Sequence, residues 1–297
     1  MHRVGWIALL ALAGCSVVER EQRPAPSVVL RSTGTPAEPA PSIALAPTGV
    51  PQVWPLDAPA ILAKSAILID ADTGRTLFQK NADAIRQVAS TQKLLTALVV
   101  AEAGNLEHPV VIEASDTYVE PTNAGVRAGQ VYSRRQLLTA LLVHSCNDVA
   151  VSLARDNAGS VAAFAMVMNA RAEALGARSS HFVNPNGLPA AQYSTARDMA
   201  RVAYRAYRRP ELRAITRLPG YYFRFSNGRT RYLASTNKML GRFPGVDGMK
   251  TGYTNAAGRC LITSATIGNR HFILVQLGSR TSHIFSDAER MLAWASR

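Results

Sequence analysis

Three short groups of residues carry chemistry in their types and spacing. Ser90-Thr91-Gln92-Lys93 sets a hydroxyl and an amine three positions apart, which on a helix places them on one face, a turn from each other. A serine is a poor nucleophile until a neighbouring base takes its proton, and a lysine serves as that base once burial or a second cation lowers its pKa. The apolar run from Ala89 to Ala103, closed by Gly104, predicts a helix with Ser90 at its start. Unpaired N–H groups there favour a developing negative charge. The pattern by itself is common, since average composition gives roughly one S-x-x-K in a chain of this length. Ser235-Thr236-Asn237-Lys238 is a second match without a following apolar helix, and it reads as a decoy.

Ser145-Cys146-Asn147 lies between two helical patterns. A hydroxyl there can relay a proton to a leaving amine, and a carboxamide can hold a substrate amide. Ser and Asn are also favoured helix caps, and capping and catalysis are compatible. Lys250-Thr251-Gly252 closes a strand-like stretch after Gly245 and Gly248. Its ammonium can attract an anion and depress the pKa of Lys93, while Gly252 lets a substrate backbone come close. Average usage gives under about 0.1 K-T-G in such a chain, so this group is the more specific signal. No G-x-S-x-G or H-E-x-x-H pattern competes with them. His144 reads as structural, and no metal and no cofactor is implied.

The elements that must bring these groups together follow from periodicity. Residues 65–70 and 76–79 flank Asp72-Thr73-Gly74, a strand–turn–strand signal. Helical patterns fill 133–144, 147–157, 160–175 and 194–208. Strand-like stretches return at 221–225, 246–251, 260–267 and 271–277, the last two joined by Gly268-Asn269, and a helix follows at 284–295. Strands at both ends with helices between them predict an α+β fold, one sheet built from the two ends of the region with a helical insertion.

Motif order supplies the resemblance. S-x-x-K, S-x-N and K-T-G in sequence, here at 90, 145 and 250, are the signature of penicillin-binding proteins and serine β-lactamases. From roughly residue 60 onward the chain resembles the low-molecular-weight D-alanyl-D-alanine carboxypeptidases. Residues 63–70 are similar to that family's opening hairpin, and His181-Phe182, Asn186-Gly187-Leu188 and residues 194–199 to its later segments. Residues 245–252 resemble its K-T-G strand, and Gly278-Ser279-Arg280-Thr281 its G-x-R-T strand end. The resemblance implies a serine β-lactamase/transpeptidase-like fold, an antiparallel sheet flanked by helices with a helical subdomain. It implies an acyl-enzyme on Ser90 with Lys93 as base, and Ser145 and Asn147 supporting proton transfer and substrate placement. Lys250, Thr251, Gly252 and Tyr253 would bind substrate, with Arg280 helping to hold its terminal carboxylate and the N–H groups of Ser90 and Tyr253 forming the oxyanion hole. Peptidoglycan stem peptides are the implied substrates and β-lactams the implied covalent inhibitors.

The match has departures. Cys146 stands where glycine is common in the family. Many members continue into a β-rich domain and an amphipathic helix, whereas this chain ends soon after the last helical pattern. That shorter form resembles the endopeptidase-like branch, which cuts D-alanyl cross-links, as does the run 255–260. Arg280 points toward carboxypeptidase, which ranks first. A class A β-lactamase needs a glutamate in an E-x-x-L-N loop, and Glu211-Leu212-Arg213-Ala214 does not supply it. A non-catalytic wall-binding lipoprotein would have no need of Ser90, Lys93, Asn147 and Lys250 together.

The N-terminal part differs in kind. Residues 4–13 are apolar, follow Arg3 and end in small residues, the layout of a secretory signal and too short for a span of about 20 residues. Leu12-Ala13-Gly14-Cys15 resembles the bacterial lipobox, whose cysteine carries the lipid. Residues 1–15 then form a lipoprotein-type signal peptide, and the lipid on Cys15, which becomes the new N-terminus, anchors the chain to a membrane. Ser16 in place of an aspartate favours the outer membrane, facing the periplasm. Residues 16–57 are Pro- and Ala-rich, with Pro24, Pro26, Pro36, Pro39 and Pro41 among the helix breakers, and predict a disordered linker. The peptidase domain is expected over 58–297. A formal charge of +13 meets no nucleic-acid motif, so no nucleic-acid partner is expected; attraction to anionic envelope surfaces and charge that serves solubility alone both fit it. Cys146 and Cys260 are expected to be free and buried, since two cysteines do not make a disulfide framework.

Overall fold

The computed structural model describes Pro55, residues 57–280 and residues 283–297. The signal segment 1–15 with Cys15, nearly all of the 16–57 linker and Thr281 lie outside the described residues.

Five strands make the main sheet: β1 (Ser65–Asp70), β2 (Thr76–Lys80), β7 (Val246–Thr254), β8 (Gly258–Ile267) and β9 (Arg270–Ser279), in the order β2-β1-β9-β8-β7. Every pairing is antiparallel, and β1 meets β9 with Leu68 opposite Leu274. The expected sheet built from both ends of the region is therefore present. Side chains alternate faces along a strand, and both faces are covered. Ala66 and Leu68 pack with Phe272, Leu274 and the helix α7 (Ile284–Ala295), while Ile67 and Ile69 join Ile273, Val275 and the helical side. Burial on two faces explains why these strands read as continuous apolar runs.

Between β2 and β7 lie α1 (Lys93–Glu102), α2 (Arg134–Val143), α3 (Asn147–Ala158), α4 (Val161–Ala174), α5 (Ala196–Tyr207) and α6 (Pro210–Thr216). Their starts are set by short polar side chains. Ser133 caps α2 in a reciprocal box with Gln136, Ser160 caps α4 through the Ala163 N–H, and Thr195 caps α5 through the Asp198 N–H. Two small hairpins complete the fold: β3 (Pro109–Val111) with β4 (Val131–Ser133), and β5 (Gly220–Arg224) with β6 (Thr230–Ala234).

One expectation needs correcting. The apolar run from Ala89 does not open as α-helix: Ala89–Gln92 is a 3-10 turn, and α1 begins at Lys93. Ala89 lies in the left-handed region at φ +48°, which no α-helix accommodates. Crowding dictates the turn. A Cβ on Gly252 would sit 2.9 Å from the amide nitrogens of Ser90 and Thr91, so β7 runs directly against this backbone. Cys146 and Cys260 are free and buried, as expected.

Candidate active site

Lys93 occupies the centre of the site and is fully buried. Its Nζ donates to the main-chain carbonyl of Asn186 at 2.5 Å and to Asn147 Oδ1 at 2.7 Å, and it lies 2.8 Å from Ser90 Oγ. Ser90 Oγ is 3.2 Å from the same Asn186 carbonyl, so the closer partner for its proton is the amine. Burial drives the pKa of Lys93 well below the ordinary lysine value, and the nearby charge of Lys250 pushes the same way against weaker opposition from Cys146 and Asp148. A neutral amine keeps two N–H bonds, to Asn147 and Asn186, and turns its lone pair to the Ser90 hydroxyl. That is the state a general base requires.

Asn147 is itself held, with its N–H donating to Thr122 O at 2.6 Å and its Nδ2 to Glu120 O at 3.4 Å. Ser145, just before it, takes φ +68°. Left-handed backbone at a non-glycine residue costs roughly 1–2 kcal/mol, and here it falls beside both candidate serines, at Ala89 and at Ser145. Such strain clusters where a fold must present side chains for chemistry.

Lys250 is also fully buried, and desolvation draws its pKa down to about 7. Its Nζ donates to Thr251 O at 2.9 Å. Thr251 Oγ1 donates to Thr236 Oγ1 at 2.6 Å. A cleft of about 320 Å³ gathers Ser90, Ser145, Thr236, Thr251, Gly252 and Tyr253.

A family profile for D-alanyl-D-alanine carboxypeptidases, peptidase S11, matches residues 53–281. The chain belongs to this family. It is 34% identical over 232 residues to the D-alanyl-D-alanine carboxypeptidase DacF of Bacillus subtilis, a match that spans 74% of this chain and 58% of that protein. It is 37% identical over 243 residues to a D-alanyl-D-alanine endopeptidase of Pseudomonas aeruginosa, spanning 77% of this chain and 76% of the relative. A crystal structure of a D-alanyl-D-alanine carboxypeptidase from Mycobacterium tuberculosis superposes with a TM-score of 0.78 at 32% identity, covering 82% of this chain and 95% of that one.

In this S11 chain the structure brings together eight of the residues singled out by sequence: Ser90, Lys93, Ser145, Asn147, Lys250, Thr251, Gly252 and Tyr253. Arg280 is set apart. It is exposed beyond the end of β9 and is not among the described residues lining the cleft. The segment set aside as a decoy contributes after all. Ser235 Oγ accepts from the Asn237 N–H instead of meeting Lys238, but Thr236 and Lys238 both line the cleft. Arg259 lines it too, with its guanidinium 5.4 Å from the Tyr253 ring centre.

Asn186 is the principal residue that chemistry-by-type overlooked, because it acts through its main chain. Its loop is fixed by Asn184, whose Oδ1 accepts the Gly187 N–H at 2.8 Å and whose carbonyl accepts from Gln92 Nε2 at 2.6 Å. Gly187, at φ +81°, packs so closely that a Cβ would stand 2.2 Å from Ala89 O and 2.8 Å from Ser90 N. Gly187→Ala is therefore expected to lose at least about 1–2 kcal/mol from backbone strain alone and to slow acylation by benzylpenicillin. Urea unfolding and a labelling time course measure the two effects. A folded variant that labels at the wild-type rate would show that this loop does not set the site.

Lys250 offers a second test. Lys250→Gln removes one cation that depresses Lys93, so the pKa of Lys93 rises and the ascending limb of the acylation rate against pH moves to higher pH. Because Lys250 is itself drawn to about 7, its repulsion is strongest on the acid side of neutrality. A limb that stays in place would mean that burial alone tunes Lys93.

Proposed function

We propose that this chain is a serine-type D-Ala-D-Ala carboxypeptidase that trims peptidoglycan stem peptides through an acyl-enzyme on Ser90. The observation that carries the reading is the fully buried Lys93 amine, 2.8 Å from Ser90 Oγ with its other hydrogens committed to Asn147 and Asn186. Neutral Lys93 takes the Ser90 proton as Oγ attacks the carbonyl of the penultimate D-alanine. The N–H groups of Ser90 and Tyr253 receive the oxyanion, and Gly252 leaves room for the substrate strand beside them. Lys250 and Thr251 attract the terminal carboxylate. Ser145, in reach of the cleft, passes a proton to the departing amine, collapse releases D-alanine, and water frees the Ser90 ester. β-Lactams, as cyclic mimics of the same acyl group, would acylate Ser90 and stay. We place the protein on the periplasmic face of the outer membrane, held by a lipid on Cys15 with residues 16–57 as tether. Cys15→Ala would then take up no labelled palmitate.

A second reading, cleavage of D-alanyl cross-links, draws support from the Pseudomonas aeruginosa relative named an endopeptidase. One experiment separates the two: the purified protein is incubated with pentapeptide and with cross-linked muropeptides, and the products are weighed by mass spectrometry. Loss of a single D-alanine from pentapeptide supports the carboxypeptidase. Cleavage of cross-links alone replaces it with the endopeptidase, and no product from either substrate rejects both.

A further inference from the structure

Next to the cleft, across one loop, lies a second cavity that the reaction above leaves unused. It has a volume of about 290 Å³ and sits between residues 124–130 and the turn of the β5–β6 hairpin. Arg127, Arg229 and Arg231 line it together with Gln130 and Phe225, and no carboxylate does. Arg231 Nη1 donates to the carbonyls of Asn123 and Ala124, each at 3.2 Å. Those carbonyls are dipoles and leave its charge uncompensated. Arg127 and Arg229 are exposed, and among the described residues neither enters an ion pair. The carboxylate behind the loop, Asp148, is buried and faces the loop's main chain, accepting the N–H groups of Ala124 and Gly125 at 2.9 Å and of Val126 at 3.4 Å. Three arginines thus line a small space with no acid among the described residues of its wall.

The cavity neighbours the candidate active site through the loop that the two share. Pro121 and Thr122 line the cleft, whereas Ala124 and Gly125 line the arginine cavity. Two residues of chain span at most about 7 Å. The same loop is pinned to the site by the Asn147 N–H bond to Thr122 O. An acyl chain that left the cleft along this loop would run toward the arginines.

We propose that this cavity is a carboxylate subsite for the acyl portion of the substrate, an acidic peptide with a free carboxylate about two or three residues before the bond that is cut. The proposal rests on reading the chain as a D,D-peptidase. Guanidinium groups suit the role because they pair with a carboxylate through two parallel N–H bonds and remain charged at any working pH. The subsite selects among acyl peptides and takes no part in the chemistry.

The test uses Arg127→Gln/Arg229→Gln, which spares Arg231 and the loop that it holds. Two peptides ending in D-Ala-D-Ala are compared, identical except that one carries a free side-chain carboxylate at that position and the other its amide. Wild type is expected to favour the free acid, and the double variant to lose roughly tenfold in kcat/KM on it, through KM and not kcat. Its rate on the amide and its acylation by benzylpenicillin stay unchanged. The wild-type preference shrinks as salt is added. An equal loss on both peptides, or no loss on the free acid, overturns the subsite. Wild type that accepts benzylpenicillin but cleaves neither peptide also overturns it, and wild type that accepts neither overturns the peptidase reading beneath it.

Discussion

Replacing Ser90 with alanine abolishes covalent labelling by benzylpenicillin and lowers D-alanine release by about 10⁴–10⁶-fold, the range seen when a nucleophile is deleted from a hydrolase. Among the described residues, only this hydroxyl lies within hydrogen-bond reach of the buried Lys93 amine, at 2.8 Å. The fold tolerates the change, because Lys93 keeps Asn147 and Asn186 as partners and a hydroxyl gives way to a hydrogen. Intact-protein mass spectrometry reads the result directly. A Ser90→Ala protein that still gains the mass of the drug would reject this mechanism and direct the search to Ser145, the other candidate serine in the cleft.

Lys93→Met carries the second-largest expected effect, a loss of about 10²–10⁴ in acylation rate, the usual worth of a positioned general base. A thermodynamic signature accompanies it. In the native protein Lys93 binds its proton far more weakly than in the unfolded chain, where its pKa returns to about 10.4. Between the two values the unfolded state holds more protons, so stability rises with pH, by up to about 1.4 kcal/mol per pH unit for each such lysine. Lys250 adds the same slope from about 7 upward to its unfolded value. Wild type should therefore gain stability between pH 7.5 and 9.5, and Lys93→Met should gain visibly less, with Lys250 providing what remains. Urea midpoints at the two pH values decide it. Equal slopes in the two proteins would mean that Lys93 is not buried in its neutral form.

How much of this was legible beforehand differs by residue. Strands buried on both faces, such as β1 and β9, announced themselves as apolar runs, and the helices at 133–144 and 194–208 through their helical patterns, whereas their caps Ser133 and Thr195 emerged only with the structure. The β5–β6 hairpin was only half visible. Phe223 and Leu233 face the core, but the outer face of β6 carries Thr230, Tyr232 and Ala234, so β6 lacked an apolar alternation. Strands of three residues, β3 and β4, are too short to show a period at all. Within the site, groups that act through side chains were found by type and spacing. The Asn186 carbonyl was not, since every residue has one and only the fold says which is aimed at Lys93. Thr236 was missed for the opposite reason. It stood inside a motif that looked like a competing nucleophile, and only the 2.6 Å bond from Thr251 shows it to be part of the same cleft.

The placement of β9 between β1 and β8 bears on how the protein comes into being. A chain made from its N-terminus exposes β1 long before its central neighbour exists, because Leu68 waits for Leu274. Until then the first hairpin is a two-stranded ribbon with an open edge, marginal in water and prone to pair with other chains. Contacts of such long range also slow folding. A cut after Asn269 would not trim a rim. It would remove the middle strand, leave β1–β2 and β7–β8 as separate ribbons, and strip away α7, which covers one face of the sheet.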